Sequence, residues 1–489
     1  MITAIYDCRS KQEYIYHTNK MVEISGASLL LSNVYKMFVE KAESYGIKIK
    51  DSWEKDFENG KRFDPEEFEK SPYQGEIIYA GGGNLNVIYK DKDIYIKANR
   101  IFSKMLLDET YSVSVVAACT ETTDNFNADR KKLYREKNRM KNQGVLSSPC
   151  NVLPVMQIDR TTFMPVHEKV FSKGKRTDMT LESRHKTDAY KEYYGADDDV
   201  NTKRLDSLLI NDDSSIIAVI YIDGNDMGNK ISACTKGKDD YPLCVDALRE
   251  FSINTDKYFV KQPIEAIKDC LRKKSMSGVQ HKYRLIIGGG DEITIICCAE
   301  DAMDIVTTYF ETLEKSAPLV KDKKNASCAG IAFFHSHMPF ADVYKIAEEC
   351  CESGKKHTRN GHSGESYIDF HYCHSGITNN LETLREEQEK KYTKRPYSTE
   401  DFAEFRRIGN ILREIGRGNL KALGESIVKG DSYYQLEVER IKSRFMGNFA
   451  GLVEQYHNDE ETLKKFIYDI SIVYDLWFAG GEENVQTEN

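Results

Sequence analysis

The chain has 489 residues, 40% of them hydrophobic and 30% charged, with a formal net charge of −9. That length supports about two to four domains with cores of their own, and the composition excludes wholesale disorder. The acidic balance excludes a protein that grips duplex nucleic acid along its length, which needs a basic face.

No apolar run is long enough to span a bilayer, and Met1-Ile2-Thr3-Ala4 opens directly into a strand rather than a signal peptide. A cytoplasmic protein without membrane contact is expected. The twelve cysteines include no C-x-x-C; Cys297-Cys298 and Cys350-Cys351 sit in apolar contexts and read as buried, reduced thiols.

In chain order, residues 2–7 read as a strand ending at Asp7 and residues 13–40 as a long helix. Residues 44–71 are polar and irregular. A strand (76–80), a turn (Gly81-Gly82-Gly83-Asn84), a return strand (85–89), a helix (94–107) and a strand (112–118) complete a β-α-β-β-α-β set. The Gly81, Gly82, Gly83 loop reads either as a tight hairpin or as a nucleotide cradle. The basic run 129–141 reads as a solvated helix face, with phosphate or RNA contact as the alternative. Residues 145–210 lose periodicity and are taken as an insert, in which Ser183-Arg184-His185-Lys186 suggests no chemistry.

A second β-α-β-β-α-β set follows. The β-branched run 216–222 ends in Asp223-Gly224-Asn225-Asp226, and the run 284–287 ends in Gly288-Gly289-Gly290-Asp291-Glu292 before a return strand. Between them lies a helical segment (244–271), and a helix (301–314) and a strand (326–334) come after. This topology brings the exit of the first strand to the hairpin between the second and third. Asp223 and Asp291 then face each other, with Asp226 and Glu292 close by.

Clustered carboxylates repel unless a cation sits between them, and hard oxygen ligands at a glycine turn favour Mg2+ or Mn2+. A two-metal phosphoryl-transfer site is expected, with Asp223 and Asp291 as the bridging pair, Glu292 as accessory ligand or proton acceptor, and Asp226 as a weaker ligand. Gly288, Gly289 and Gly290 would let a triphosphate approach the backbone. In the first set, Asn84 is read in the place of Asp291, leaving Asp7 alone and that half catalytically silent. His335 and His337, two apart on a strand, read as structural rather than metal-binding. Beyond residue 375 the chain turns helical: 382–394 reads as a solvated helix or linker, and amphipathic helices follow at 402–415, 420–428, 434–446 and 460–478.

The pair of motifs resembles the second palm domain of the large, signal-synthesising subunit of type III CRISPR complexes, akin to GGDEF-type cyclases. Three other stretches are similar to that family: 16–31 to its first-palm helix, 340–347 leading to Lys355 to its second-palm helix, and Ser366-Tyr367-Ile368-Asp369-Phe370 to the strand that follows. The resemblance implies an α+β protein of two ferredoxin-like palms: first palm 1–125, insert 126–210, second palm 211–375 and helical domain 376–489. It implies ATP as substrate, two ATP molecules between the palms, Lys355 against the triphosphate, and a helical end that docks other subunits or braces the chain itself. The family's zinc ribbon is reduced to Cys150 and no histidine is followed by Asp, so neither zinc nor a His-Asp nuclease is expected. Asn225 departs from the family's acid-x-acid; either Asp226 or a carbonyl oxygen would compensate.

The reading is a nucleotidyl transferase or cyclase that makes a cyclic oligonucleotide or cyclic nucleotide from ATP in antiviral defence. A nucleotide-binding sensor or scaffold is the alternative, and a templated polymerase a third. Expected partners are nucleoside triphosphates, with RNA, a CRISPR ribonucleoprotein, a downstream effector reached through the product, and a homodimer left open.

Overall fold

A computed structural model describes residues 1–81, 83–143, 153–172, 175–195, 205–210, 215–359, 364–373, 381–388, 391–445 and 447–478. The protein is α+β, with two ferredoxin-like units, an insert between them and a helical C-terminal region. In the first unit, β1 (Ile2–Arg9), β2 (Ile49–Lys50), β3 (Gly75–Gly81), β4 (Asn84–Tyr89) and β5 (Ser114–Glu121) lie in the order β2-β3-β4-β1-β5. A short α1 (Lys11–Ile15), the long α2 (Met21–Ser44) and α5 (Lys92–Thr110) accompany them. The stretch 44–71 is not irregular: β2, α3 (Trp53–Glu58) and α4 (Pro65–Lys70) occupy it, and Trp53, Phe63 and Phe68 are buried. These anchors are spaced too widely to show a period.

α6 (Phe126–Asn142) covers the outer face of the first sheet. The insert then forms a ribbon, β6 (Val166–Ser172) with β7 (Lys175–Thr180), and a helix, α7 (Leu181–Tyr194). Ser183 and Lys186, mute in the sequence, pin α7 to the first unit. Ser183 donates to Glu23 at 3.0 Å, and the wholly buried Lys186 ammonium donates to the Tyr14 carbonyl at 2.6 Å and to Glu182.

The second unit contains β8 (Ile216–Gly224), α8 (Met227–Cys234), α9 (Tyr241–Thr255), a π-helical turn (Asp256–Lys261), α10 (Gln262–Ser275), β9 (Tyr283–Gly289), β10 (Glu292–Cys298), α11 (Ala302–Glu314), β11 (Ser327–His335), α12 (Phe340–Arg359) and β12 (Tyr367–Tyr372). With β13 (Tyr397–Ser398) its sheet runs β13-β12-β11-β8-β10-β9. β8 reads as an unbroken apolar run because both its faces are covered. Ile217, Val219 and Tyr221 enter the core shared with the first unit, whereas Ala218, Ile220 and Ile222 enter the core shared with α10, α11 and the C-terminal helices.

The units lean on each other reciprocally. Ser28 on α2 donates to the Ile286 carbonyl on β9, while Arg249 and Ser252 on α9 donate to the carbonyls of Ile77, Ile78 and Ala80 on β3. Each long helix thus lies beside the other unit's glycine hairpin.

Beyond the second sheet come α13 (Leu381–Gln388), α14 (Thr399–Leu412), α15 (Arg417–Lys429), α16 (Asp431–Lys442), α17 (Asn448–Gln455) and α18 (Glu460–Trp477). Part of the segment expected as a solvated linker is anchored: Arg385 donates to Asp369 at 3.0 Å and to the Phe370 carbonyl at 2.8 Å. Phe402, Phe405 and Phe466 then pack on the second sheet, so this end braces the chain itself.

Candidate active site

Strand parity decides which carboxylates meet. Asp223 follows Tyr221 by two and Glu292 precedes Thr294 by two, and the two acids are register partners across β8 and β10. Both therefore lie on the face turned to the first unit and α12. Asp291 precedes Glu292 at a hairpin whose Gly290 has φ 68°. Its carbonyl accepts the Gly224 N–H at 3.2 Å, and its side chain lies so close to Gly224 that a Cβ there would be 2.8 Å from a carboxylate oxygen. Gly224 is what allows Asp291 to fold against the end of β8. Beside it, a Cβ at Gly289 would meet open space, whereas one at Gly288 would meet Leu285.

The acids strain against one another. Burial, then the charge of Asp223, pushes Asp291 up to about 7, and the same two causes push Glu292 up to about 7. Lys11 and Gln12 of the first unit work against the second shift, so α1 reaches across to Glu292. The Oε1 atom of Glu292 is buried with no hydrogen-bond partner among the described residues. Glu348 on α12 is a further acid that the sequence analysis missed, raised by burial and then by Asp223. Its position, two helical turns before Lys355, was the available signal.

Lys355 donates to Asp223 and, at 3.3 Å, to the Gly224 carbonyl, rather than standing free for a ligand. Burial opposes its charge, but Asp223 together with Cys351 and Asp291 more than offsets burial, so it is raised. Asp226 caps α8 at φ 59° and accepts from Asn229. Asn225 is buried: its N–H donates to the Ala326 carbonyl at 2.8 Å and its amide to the Glu365 carbonyl at 3.0 Å, which ties the end of β8 to its surroundings. Lys230, also missed, is buried, with no hydrogen-bond partner for its ammonium among the described residues, and Asp226 and Asp291 both act on its charge.

The first unit repeats this geometry with other residues. Asp7 pairs across the strands with Asn84, as Asp223 does with Glu292, so Asn84 stands in the place of Glu292 and not of Asp291. In both hairpins two residues separate the closing pair, which puts Gly83, at φ 77°, in the place of Asp291. The Lys11 ammonium lies against Gly83, and the Ser252 hydroxyl is 2.8 Å from where a Cβ on Gly81 would be; Gly82 lies outside the described residues. The basic run is not simply a solvated face: Lys137 and Lys141 turn inward to the buried Asp7 carboxylate, at 3.1 and 2.9 Å. Lys141 lies 15 residues after Phe126, the first residue of α6, and Lys355 lies 15 residues after Phe340, the first residue of α12. The two units thus share a lysine-aspartate pair.

Among the described residues no three His, Cys, Asp or Glu side chains are grouped as a ready metal site. The donor set of the second unit nonetheless fits a divalent cation. Asp223 and Glu292 oppose each other, Asp291 adjoins them, and Oε1 of Glu292 is buried with no hydrogen-bond partner among the described residues. The His335 and His337 rings lie 5.2 Å apart and tilted by 40°, with the His337 backbone N–H donating to the His335 ring. Cys150 lies outside the described residues. Among the described residues no helix is long and apolar enough to cross a membrane.

Residues 216–363 match the family model described as Cas10/Cmr2, second palm domain. This segment is similar to a Cas10-type second palm. The match covers well under half of the chain, and no curated protein matches it. The solved structures that resemble the chain include a Csm1-Csm4 cassette in complex with cA4 (TM-score 0.53, 13% identity, 97% of this chain and 69% of that one). The Csm1-Csm4 subcomplex of the type III-A CRISPR-Csm interference complex is similar (0.53, 13%, 96% and 69%). A cassette with AMPPNP is matched at a TM-score of 0.48 and 14% identity over 83% of this chain, and there the chain spans only 57% of its counterpart's length. At these identities the likeness is one of fold, and it extends beyond the second palm to the ferredoxin-like unit before it.

Proposed function

We propose that this chain is an ATP-using nucleotidyl transferase that makes a cyclic oligoadenylate-type signal, with the second palm as its working half. The carrying observation is the convergence of Asp223, Asp291 and Glu292 at one sheet edge within a Cas10-type palm. The structural neighbour in complex with cA4 supports the nucleotide class.

Asp223, Asp291 and Glu292 would hold Mg2+ or Mn2+, which when bound supplies charge stabilisation at the α-phosphate. A ribose hydroxyl of one nucleotide attacks that phosphate, its O–P bond forming as the bond to pyrophosphate breaks. Glu292 would serve either as accessory ligand or as the acceptor of the hydroxyl proton. Lys355 would exchange Asp223 for phosphate oxygens of the bound nucleotide, and Gly288 to Gly290 would leave backbone room for the triphosphate. The first palm, with Gly83 and Asn84 in place of two acids, contributes positioning through Lys141 and the Gly81–Gly83 loop.

The test is incubation of the purified chain with radiolabelled ATP and Mn2+, beside an Asp291→Ala/Glu292→Ala variant. A product formed only by the intact chain supports the transferase. The second reading is a nucleotide-binding sensor, favoured by the Lys355–Asp223 pair, which already neutralises one acid without a metal. ATP binding without product from any of the four nucleoside triphosphates, with or without added RNA, selects it.

A further inference from the structure

The insert carries a surface that this chemistry leaves unused. β6 and β7 form a two-stranded sheet of their own, joined to neither palm sheet. On it Phe171 is 76% exposed, and Phe163, just before it, is 75% exposed. Phe163 also adopts φ 56°, which is costly for a bulky side chain and persists only when its surroundings enforce it. The Asp159 carboxylate does so, accepting the N–H groups of Thr161 and Thr162 at 3.0 and 2.8 Å while the Phe163 N–H donates to the Asp159 carbonyl. An aromatic ring is thus held in solvent by a built turn.

The charges around these rings are sorted by sign. Arg160, Lys169 and Arg176 are exposed, and Arg176 is the cross-strand partner of Phe171. The neighbouring carboxylates are half-buried and engaged: Asp159 in its turn, Glu168 with Arg184 at 3.6 Å, and Asp178 with Gln157 at 2.7 Å and Lys169 at 3.8 Å. In a chain of net charge −9, the ribbon presents cations and rings together.

We propose that this ribbon binds single-stranded nucleic acid, with bases stacking on Phe163 and Phe171 and phosphates meeting Arg160, Lys169 and Arg176. Rings offer a face to any unpaired base, whereas a duplex hides its bases and would meet too few cations here. β6 runs about 17 Å from Val166 to Phe171, and Phe163 sits in the turn that leads into it, which leaves room for a site of about four nucleotides. Catalysis by the second palm is not required.

Fluorescence anisotropy of the full chain with labelled RNA and DNA oligomers of about 16 nucleotides, single-stranded and duplex, tests this at low and moderate salt. Single strands should bind more tightly than duplex of the same length. Phe163→Ala/Phe171→Ala should weaken binding about tenfold or more, and Arg160→Gln/Lys169→Gln/Arg176→Gln should flatten its salt dependence. All five side chains are exposed, so unchanged thermal melting shows that both variants fold. Phe171→Trp should retain binding and show quenched fluorescence on adding a single strand. No binding at low salt, equal binding of duplex, or binding that neither variant changes overturns the proposal; the first outcome would leave the surface to a protein partner.

Discussion

The two palms are built on one plan and differ in what closes it. Each carries an aspartate near the end of its first strand, follows the last strand of its β-α-β-β-α-β set (β5 or β11) with a helix (α6 or α12), and sends a lysine from that helix to the aspartate. At the hairpin they diverge: the second palm places Asp291 and Glu292 there, and the first places Gly83 and Asn84. A single carboxylate answered by Lys137 and Lys141 is electrostatically closed. Asp223, Asp291, Glu292 and Glu348 face one directly paired lysine, and Asp291, Glu292 and Glu348 are pushed toward protonation; in the proposed function a cation would take the protons' place.

The comparison breaks most sharply on activity. Asp223→Asn or Asp291→Ala should reduce product formation from ATP about a thousandfold, the scale of losing a preorganised charge-stabilising group. Asp7→Asn should change the KM for ATP more than kcat, because that palm only positions. Equal loss of kcat from Asp7→Asn and Asp291→Ala would put both palms in the chemistry.

Next in size is stability. Lys137→Met/Lys141→Met leaves Asp7 buried and uncompensated and should cost about 3 kcal/mol in urea unfolding. Adding Asp7→Asn should restore most of it. Lys355→Met should cost less, since Asp223 is partly open to water. If the Lys137/Lys141 variant unfolds like the parent chain, the ion pairs contribute no net stability.

Gly224→Ala probes the divergence at smaller scale. Its Cβ would meet the Asp291 carboxylate, so Asp291 must shift by a few tenths of an ångström or more. Activity should fall about tenfold with little change in the KM for ATP, a misplacement effect read by steady-state kinetics. Gly228→Ala, which meets open space, is the control and should be silent.

Much of this was legible, and the exceptions have a common cause. β8, β9 and β10 announce themselves as apolar runs ending in glycine and acid, and parity from Tyr221 and Thr294 suffices to put Asp223 and Glu292 on one face. Lys141 was hidden because it is one of seven Lys and Arg between 129 and 141, and only the start of α6 at Phe126 marks it as the counterpart of Lys355. Asn84 was assigned to the wrong partner because a glycine hairpin does not declare its register; the pairing with Asp7 does. Lys11 and Gln12 reach the site through tertiary packing between segments far apart in sequence, which no local period reports, whereas Lys230 lies four residues after Asp226 on α8, a spacing the sequence did offer.

The smallest effect tests the electrostatic openness of the second palm directly. Without metal, Asp291 and Glu292 hold protons up to about pH 7 in the folded chain, whereas unfolded carboxylates release them near pH 4. Between those values the folded state binds more protons, so stability falls as pH rises from about 4 to 7 and then levels. Asp291→Asn removes that penalty: in EDTA it should raise the melting midpoint by about 2 °C at pH 8, on the order of 1 kcal/mol after allowing for solvent access, and by only about a third as much at pH 5. Mn2+ should erase the difference by stabilising the parent chain alone. A gain of the same size at both pH values would mean that the substitution acts through packing and that the acids do not strain against each other. Asp7→Asn should show the opposite sign, because its carboxylate is already matched by Lys137 and Lys141 and its loss leaves two ammonium groups facing each other.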